Sequence, residues 1–225
     1  MENNASLLKK GLIKCSLDES SIPMISEKME TYINEIILFN SAYNLTNTSD
    51  HDELVIRHIL DSYAGYKKIN EIAEELKSLG NEKLQFADIG SGGGLPGIPL
   101  ATAFSEIDFT LVERMSKRCA FLENCAAILG LKNVKVMNKE AEKIPQESFD
   151  LITFRAFRPL DQKMTKTLLN MVKKGGYFVA YKAKIENIKE EMAGIENLIK
   201  EYKVEKLNVP GLEDSERNLV IVQKN

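Results

Sequence analysis

The apolar positions of this chain follow one period in its first third and another in the remainder. Up to residue 83 they recur every three or four positions, which places them on one face of a helix. The clearest series is Ile25, Met29, Tyr32, Ile33, Ile36 and Ile37. A polar break over 41–49 separates it from a second helical pattern over 54–63. We therefore predict an N-terminal helical cap, residues 1–83, whose apolar stripes pack on the rest of the protein.

From residue 84 onward, short apolar runs alternate with helical patterns. The predicted strands are 84–89, 107–113, 134–137, 149–154, 177–181, 203–209 and 218–222. The longest helices between them are predicted at 116–129, 160–172 and 185–200. Alternation of this kind is typical of a parallel sheet covered on both faces, and two final strands without a helix between them indicate an antiparallel finish. Residues 84–225 are thus predicted to form an α/β core with a seven-stranded, mostly parallel sheet.

The first predicted strand ends in a glycine-rich turn, with five glycines within residues 90–97. Such a turn lets the backbone approach a ligand closely and presents a helix N-terminus to it. The spacing Gly92-x-Gly94-x-x-Gly97 matches a dinucleotide fingerprint. The overlapping spacing Asp88-x-Gly90-x-Gly92-x-Gly94 resembles motif I of class I S-adenosylmethionine-dependent methyltransferases. We favour the second, because a cationic sulfonium ligand explains an acid at Asp88 and a nicotinamide cofactor does not.

Ligands of open α/β sheets bind outside the carboxyl ends of the strands, so residues there are candidates for a site. Asp88 is predicted to face the cationic part of the cofactor. Glu113, at the end of the second strand, can accept both ribose hydroxyls, in either nucleotide family. Ala141 and Glu142 follow the third strand, where methyltransferases commonly hold the adenine.

After the fourth strand comes the segment 153–159, with two arginines beside two phenylalanines. Arg155 and Arg158 can pair with phosphate, and a phenylalanine can stack on a base, although a core position is favoured for Phe154. The segment has neither the Asn/Asp-Pro-Pro-aromatic motif of exocyclic-amine methyltransferases nor a Pro-Cys nucleophile. No residue is therefore predicted to act as a catalytic acid or base.

Charge is distributed unevenly along the chain, although the formal net charge is only −3. Residues 1–83 hold 9 Lys/Arg and 14 Asp/Glu (−5), whereas residues 111–184 hold 15 and 7 (+8). A basic middle in an acidic chain indicates a face that meets phosphate, with solvated helix faces as the alternative. The three cysteines form no CxxC pair, no apolar run is long enough to span a membrane, and no signal peptide is evident. A cytoplasmic protein without a metal site is expected.

Several motifs together resemble one family, the bacterial 16S ribosomal RNA guanine-N7 methyltransferases, also called the glucose-inhibited division protein B family. They are Asn40, Tyr43-Asn44-Leu45-Thr46, Arg57-His58-Ile59-Leu60-Asp61-Ser62, the loop 88–100, 117–122, Arg155-Ala156-Phe157, Lys182 and Arg217-Asn218-Leu219-Val220. The resemblance covers almost the whole chain. This chain departs from the family pattern at Phe39, Ala183 and Asn218.

The resemblance implies methylation of guanine N7 at position 527 of 16S ribosomal RNA with S-adenosylmethionine, and a class I methyltransferase fold. It places Gly90, Leu95, Ala141, Glu142 and Arg155 at the cofactor, where Gly92, Asp88 and Glu113 join them on the motif and chemistry above. Arg118, Arg155, Arg158 and Lys182 are expected to contact RNA, with Arg155 in a positioning role. The expected partner is 16S RNA, in the small ribosomal subunit or an assembly intermediate, bound by a monomer.

Two other functions stay open at this point. One is a methyltransferase with a small-molecule or protein acceptor, and the other is a non-catalytic nucleotide- or RNA-binding module. His58 and Asp61 lie three residues apart, which makes them neighbours on a helix, and we expect them to form a hydrogen-bonded pair.

Overall fold

The computed structural model describes residues 2–156 and 158–225. Its first part is helical, as predicted. The elements are α1 (Glu2–Lys14), α2 (Ile22–Tyr43), α3 (His51–Leu54), a π-helical segment (Val55–Leu60), α4 (Asp61–Tyr63) and α5 (Tyr66–Ser78). A proline in the first turn of α2 and a left-handed Asn44 after its last residue mark the two ends of that helix. The three short elements over 51–63 follow each other without a break.

Seven strands form one sheet in the order β3-β2-β1-β4-β5-β7-β6. Their bounds are β1 Gln85–Ile89, β2 Asp108–Glu113, β3 Val134–Asn138, β4 Phe149–Arg155, β5 Val172–Lys182, β6 Lys203–Lys206 and β7 Asn218–Gln223. The first five strands pair in parallel, and β7 pairs antiparallel with both β5 and β6. The predicted strand sequence and the antiparallel finish are confirmed.

The helices of the second part are α6 (Gly97–Ala103), α7 (Ser116–Ile128), α8 (Gln162–Met171) and α9 (Ile185–Ala193), with a 3-10 turn at Ala141–Lys143. Three predicted boundaries were wrong. The helix predicted over 185–200 ends at Ala193, where Gly194 caps it. β5 begins at Val172 because a register irregularity lets Val172 pair with Phe149 before the ladder continues. β6 ends at Lys206, short of residue 209.

The sheet has an apolar core on each face, because successive side chains of a strand point to opposite sides. In β1, Phe86 belongs to the core that includes the N-terminal helices, whereas Ala87 and Ile89 belong to the core that includes α8 and α9. The predicted stripe on α2 is buried except at Ile37, which is 36% exposed. The division into units 1–83 and 84–225 stays a prediction. In the described part of the chain, no helix has the length and apolar character needed to cross a membrane.

Candidate active site

The carboxyl ends of β1, β2, β4 and β5 border two adjoining cavities. The first, which we call the arginine lobe, has a volume of about 560 Å³ and contains five basic residues, Arg57, Arg118, Arg155, Lys182 and Arg217. The second, the glutamate lobe, has a volume of about 380 Å³ and includes Glu113, Glu140, Ala141 and Glu142. Gly90, Arg118 and Ala156 line both lobes, so these three residues mark the junction between them.

The glycine loop forms the floor of this junction. Gly90 and Gly92 adopt positive φ angles of 68° and 56°, which open the turn after β1. Gly94 combines a φ of 93° with close packing, since a Cβ there would lie 2.8 Å from Ile98 Cδ1 and 2.8 Å from the Tyr32 hydroxyl. That hydroxyl, on helix α2, donates a hydrogen bond to the Gly93 carbonyl. The N-terminal helices therefore hold the loop from behind.

Asp88 lies beneath this loop and lines neither lobe. It is 1% exposed, its Oδ2 accepts the Gly97 N–H at 3.2 Å, and its Oδ1 accepts the Thr153 hydroxyl at 3.2 Å. Burial raises the pKa of Asp88 to about 6, against the lowering effect of these hydrogen bonds. The side chain ties β1 to the start of α6 and to β4, and shapes the loop from inside. That its carboxylate faces the cofactor stays a prediction.

Glu113 occupies the position predicted for a nucleoside acceptor. It ends β2, is 5% exposed and lines the glutamate lobe. Its two oxygens accept the backbone N–H groups of Gly92 at 2.9 Å and Met115 at 2.8 Å. A carboxylate has about four acceptor positions, so two remain for hydroxyl donors in the lobe.

Ala141 and Glu142, in the 3-10 turn after β3, also line the glutamate lobe. Ala141 is buried, whereas Glu142 is partly exposed and lies 3.3 Å from an Nη of Arg158. Arg158 therefore borders the glutamate lobe and not the arginine lobe. Leu95, the remaining predicted cofactor residue, is 7% exposed and lines the arginine lobe.

Arg155 ends β4 and lies on the wall of the arginine lobe. Its Nη1 donates to Asp61 Oδ2 at 2.7 Å, and its Nη2 lies 3.1 Å from His58 Nδ1. The expected direct bond between His58 and Asp61 is therefore replaced by two contacts to the same guanidinium. The residue after Ala156, Phe157, for which stacking or core packing was considered, lies outside the described residues.

Asp61 is shared by a second arginine that sequence reasoning did not assign. Its Oδ1 accepts from Arg217 Nε at 3.2 Å. Asp61 is 4% exposed, while the side chains of Arg155 and Arg217 are 16% and 27% exposed toward the lobe. Both Asp61 and Arg217 belong to the motifs that carry the family resemblance, which was the available signal. Their meeting was not predictable because 156 residues separate them in the chain.

Two further cations of the arginine lobe have partners within the protein. An Nη of Arg118 donates to the Asn44 carbonyl at 2.7 Å, and Lys182 Nζ lies 2.6 Å from Glu191. The Asn44 contact connects α7 to the loop after α2, whose residues Leu45, Thr46 and Asn47 line the same lobe. The polar break at 41–49 is thus part of the cavity wall.

His58 is neutral in this environment. Burial, and to a smaller extent the positive charges of Arg155 and Arg57, lower the pKa of His58 to about 4. The arginine lobe is therefore a region of positive electrostatic potential. Among its described lining residues, Asp61 supplies the single carboxylate.

Comparison with known proteins identifies the family of this chain. The family model of GidB, rRNA small subunit methyltransferase G, matches residues 25–220. Proteins named ribosomal RNA small subunit methyltransferase G are similar in Treponema denticola (39% identity, 97% of this chain, 94% of the relative) and Neisseria meningitidis serogroup B (32%, 96% and 97%). 

Solved structures show the same fold at low identity. A tRNA (m1A58) methyltransferase of Aquifex aeolicus superposes with a TM-score of 0.52 at 14% identity, over 63% of this chain and 62% of that one. A SAM-dependent methyltransferase of the same organism gives 0.50 at 18%, over 68% and 89%. The predicted fold class and the resemblance are confirmed: the chain belongs to the GidB family, rRNA small subunit methyltransferase G.

Proposed function

We propose that this protein methylates N7 of a guanine in 16S ribosomal RNA, the guanine at position 527, with the two lobes dividing the work. Membership of the family makes it an S-adenosylmethionine-dependent rRNA methyltransferase. The guanine and its position follow from the family resemblance. The observation that supports the division between the lobes is the junction at Gly90, Arg118 and Ala156, where a lobe suited to a nucleoside opens into a lobe suited to RNA.

The glutamate lobe fits the nucleoside part of S-adenosylmethionine. Glu113 retains acceptor positions for two ribose hydroxyls, and Ala141 with Glu142 border the place for the adenine. Gly90 and Gly92, with no side chains, leave backbone accessible where the ligand passes to the junction. When bound, S-adenosylmethionine supplies an electrophilic methyl group on a sulfonium sulfur. Asp88 contributes by holding the loop, not by direct contact.

The arginine lobe fits the guanine and its flanking phosphates. Guanine N7 has a lone pair and no proton to lose, so attack on a methyl group needs no general base. The protein's task is then to align the base and exclude alternatives. Arg155 is placed to donate to the guanine O6 while leaving N7 free, or to a phosphate oxygen.

We assign RNA contacts to Arg118, Arg155, Arg158 and Lys182. On binding phosphate, Arg118 would give up or share its hydrogen bond to the Asn44 carbonyl, and Lys182 would give up or share its ion pair with Glu191. Since N7 lies on the Hoogsteen edge, the base is read most easily when it is splayed from a loop or single strand. The proposed partner is 16S RNA in the small subunit or an assembly intermediate, bound by a cytoplasmic monomer.

The direct test is chemical mapping of 16S RNA from a strain that lacks the gene. Borohydride and aniline cleave RNA at N7-methylguanine, so the wild-type RNA is cut at position 527 and the mutant RNA is not. Purified protein with S-adenosylmethionine should restore cleavage on naked RNA, on isolated subunits or on assembly intermediates, which identifies the substrate. Full cleavage of the mutant RNA at this guanine would exclude the proposal.

A further inference from the structure

We infer that Asp61 is a positioning residue of the proposed reaction: it fixes Arg155 and Arg217 as one rigid pair in the arginine lobe, with His58 as the second support of Arg155. The inference rests on the proposed function for the role of the pair in RNA alignment. Asp61, His58 and Arg217 lie outside the predicted cofactor and RNA contacts, and Arg155 is the predicted contact that they hold.

The geometry makes Asp61 the common partner of both arginines. Each of its oxygens takes one guanidinium, at 2.7 Å from Arg155 Nη1 and 3.2 Å from Arg217 Nε. The carboxylate is nearly inaccessible, whereas the two arginines keep part of their surface in the lobe. A guanidinium has five N–H donors, so each arginine retains donors for a ligand after its contact with Asp61.

His58 completes the support of Arg155 through its tautomer. Its Nδ1 lies 3.1 Å from Arg155 Nη2, which can only donate, so Nδ1 accepts and the ring proton resides on Nε2. Nε2 has no hydrogen-bond partner among the described residues. A protonated His58 would turn two positive groups toward each other, and the cluster therefore requires the neutral ring. With one carboxylate and two guanidinium groups, the cluster carries a net charge of +1.

The helical segment 51–63 is shaped to deliver these two supports. It changes to π-helix over Val55–Leu60 and returns to α-helix at Asp61. π-Helical turns inside helices occur frequently at functional sites. Ser62, the next residue, is held by the Tyr181 hydroxyl, which donates to its carbonyl at 2.8 Å. Asp61 is thereby fixed on the sheet beside the arginines, and its carboxylate orients them without contacting RNA.

The variants to compare are Asp61→Asn and Asp61→Glu, with Asp52→Asn as the matched control. Asp52 lies on the same helical segment, is 55% exposed and pairs only with His51 among the ion pairs of the described residues. Asp61→Asn should lower kcat/KM for the RNA roughly 10- to 100-fold, the range for a charge-assisted hydrogen bond. Binding of S-adenosylhomocysteine, measured by calorimetry, should change less than about twofold, because the glutamate lobe is intact.

Asp61→Glu keeps the buried negative charge. This variant should therefore fold, and it can be tested if Asp61→Asn unfolds. It displaces the carboxylate and should still lower kcat, because misplacement of an aligning group slows the reaction. Full activity of both variants on RNA that the wild-type protein methylates would overturn the inference.

A readout without RNA separates this inference from the proposed function. In the wild-type protein, the Arg217 Nε–H should exchange slowly with water in nitrogen-15 NMR spectra, because Asp61 accepts it. The asparagine side chain keeps one acceptor oxygen, so either the Arg217 Nε–H or an Nη–H of Arg155 loses its acceptor. Exchange of at least one of these protons should become roughly tenfold faster in Asp61→Asn and stay unchanged in Asp52→Asn, as expected for loss of a protecting hydrogen bond. Unchanged exchange at both arginines in Asp61→Asn would refute the inference, whereas a wild-type protein inactive on 16S RNA would refute the proposed function alone.

Discussion

The two lobes of the site are built in different ways. The key groups of the glutamate lobe come from adjacent strand ends and turns of the sheet, with Glu113 at the end of β2 and Ala141 after β3. The arginine lobe collects its basic groups from positions as distant as Arg57 and Arg217. The first lobe is therefore a product of local strand-turn geometry, while the second exists only when the N-terminal helices are docked on the sheet.

This difference suggests that cofactor binding and RNA alignment can be impaired separately. The largest effect is expected for Arg155→Ala. It removes a guanidinium of the arginine lobe, while Asp61 keeps its hydrogen bond with Arg217. Methylation should fall by roughly 100-fold or more, while the affinity for S-adenosylhomocysteine changes less than about threefold. Single-turnover methylation and calorimetry on one preparation measure both.

Arg155→Lys should not restore activity, because a point charge does not reproduce a planar fork. An equal loss of cofactor affinity and methylation in Arg155→Ala would mean that Arg155 serves the cofactor as much as the RNA. If the alanine variant methylates ribosomal subunits at the wild-type rate, the site has been placed wrongly.

Glu113→Gln is the corresponding change in the other lobe. It removes the negative charge of the group proposed to accept hydrogen bonds from the ribose hydroxyls. It also weakens the hydrogen bond from the Gly92 N–H. We expect the dissociation constant for S-adenosylhomocysteine to rise roughly 10- to 100-fold, while KM for RNA at saturating cofactor stays nearly constant. Glu106→Gln is the control and should leave this dissociation constant unchanged, because Glu106 is exposed and lines neither lobe.

Tyr32→Phe tests the support that both lobes share. The lost hydrogen bond to the Gly93 carbonyl should lower the free energy of unfolding by about 1 kcal/mol and slow methylation a few-fold. Denaturant unfolding and cofactor titration measure the two effects. Tyr202→Phe, at a side chain that is 41% exposed, should leave both unchanged. An effect confined to one lobe would contradict a shared support.

The smallest effect on the reaction is expected for Asp88→Asn, because Asp88 lines neither lobe. Cofactor affinity should change less than about twofold. The stability should change with pH instead. With a folded pKa of about 6 and an ordinary value of 3.8, the native protein binds more protons than the unfolded chain between these values. This carboxyl therefore makes the protein less stable as pH rises through that window.

In Asp88→Asn this loss is absent, so the variant should gain roughly 1–3 kcal/mol relative to the wild-type protein between pH 4 and 7. His58 acts oppositely, since its lowered pKa makes stability rise over about pH 4 to 6.5, but it does so in both proteins. Unfolding curves at several pH values provide the comparison. A tenfold loss of cofactor affinity in Asp88→Asn would mean that Asp88 contacts the cofactor.

Local patterns predicted most of the fold and half of the site. The period of the apolar residues and the turn residues predicted the seven strands in their order along the chain. The glycine spacing and Glu113 predicted where the glutamate lobe lies. Boundaries failed where pairing overrode propensity, as at Val172, which joins β5 because Phe149 offers a partner. The contacts of the Asp88 side chain could not be predicted for another reason: a strand-end acid can point outward or inward, and only packing against Gly97 and Thr153 decides the direction.

The sequence by itself determined the α/β class, the order of the strands, the glycine turn and, through its motifs, the family. These features depend on residues that are close to each other in the chain. The period of the apolar residues and the spacing of the glycines therefore indicate them directly. The tertiary structure alone decided that Asp61 holds Arg155 and Arg217. Those contacts span 94 and 156 residues, and no local rule registers a contact at such a separation. In the arginine lobe, folding brings Arg155 and Arg217 to the one carboxylate of Asp61.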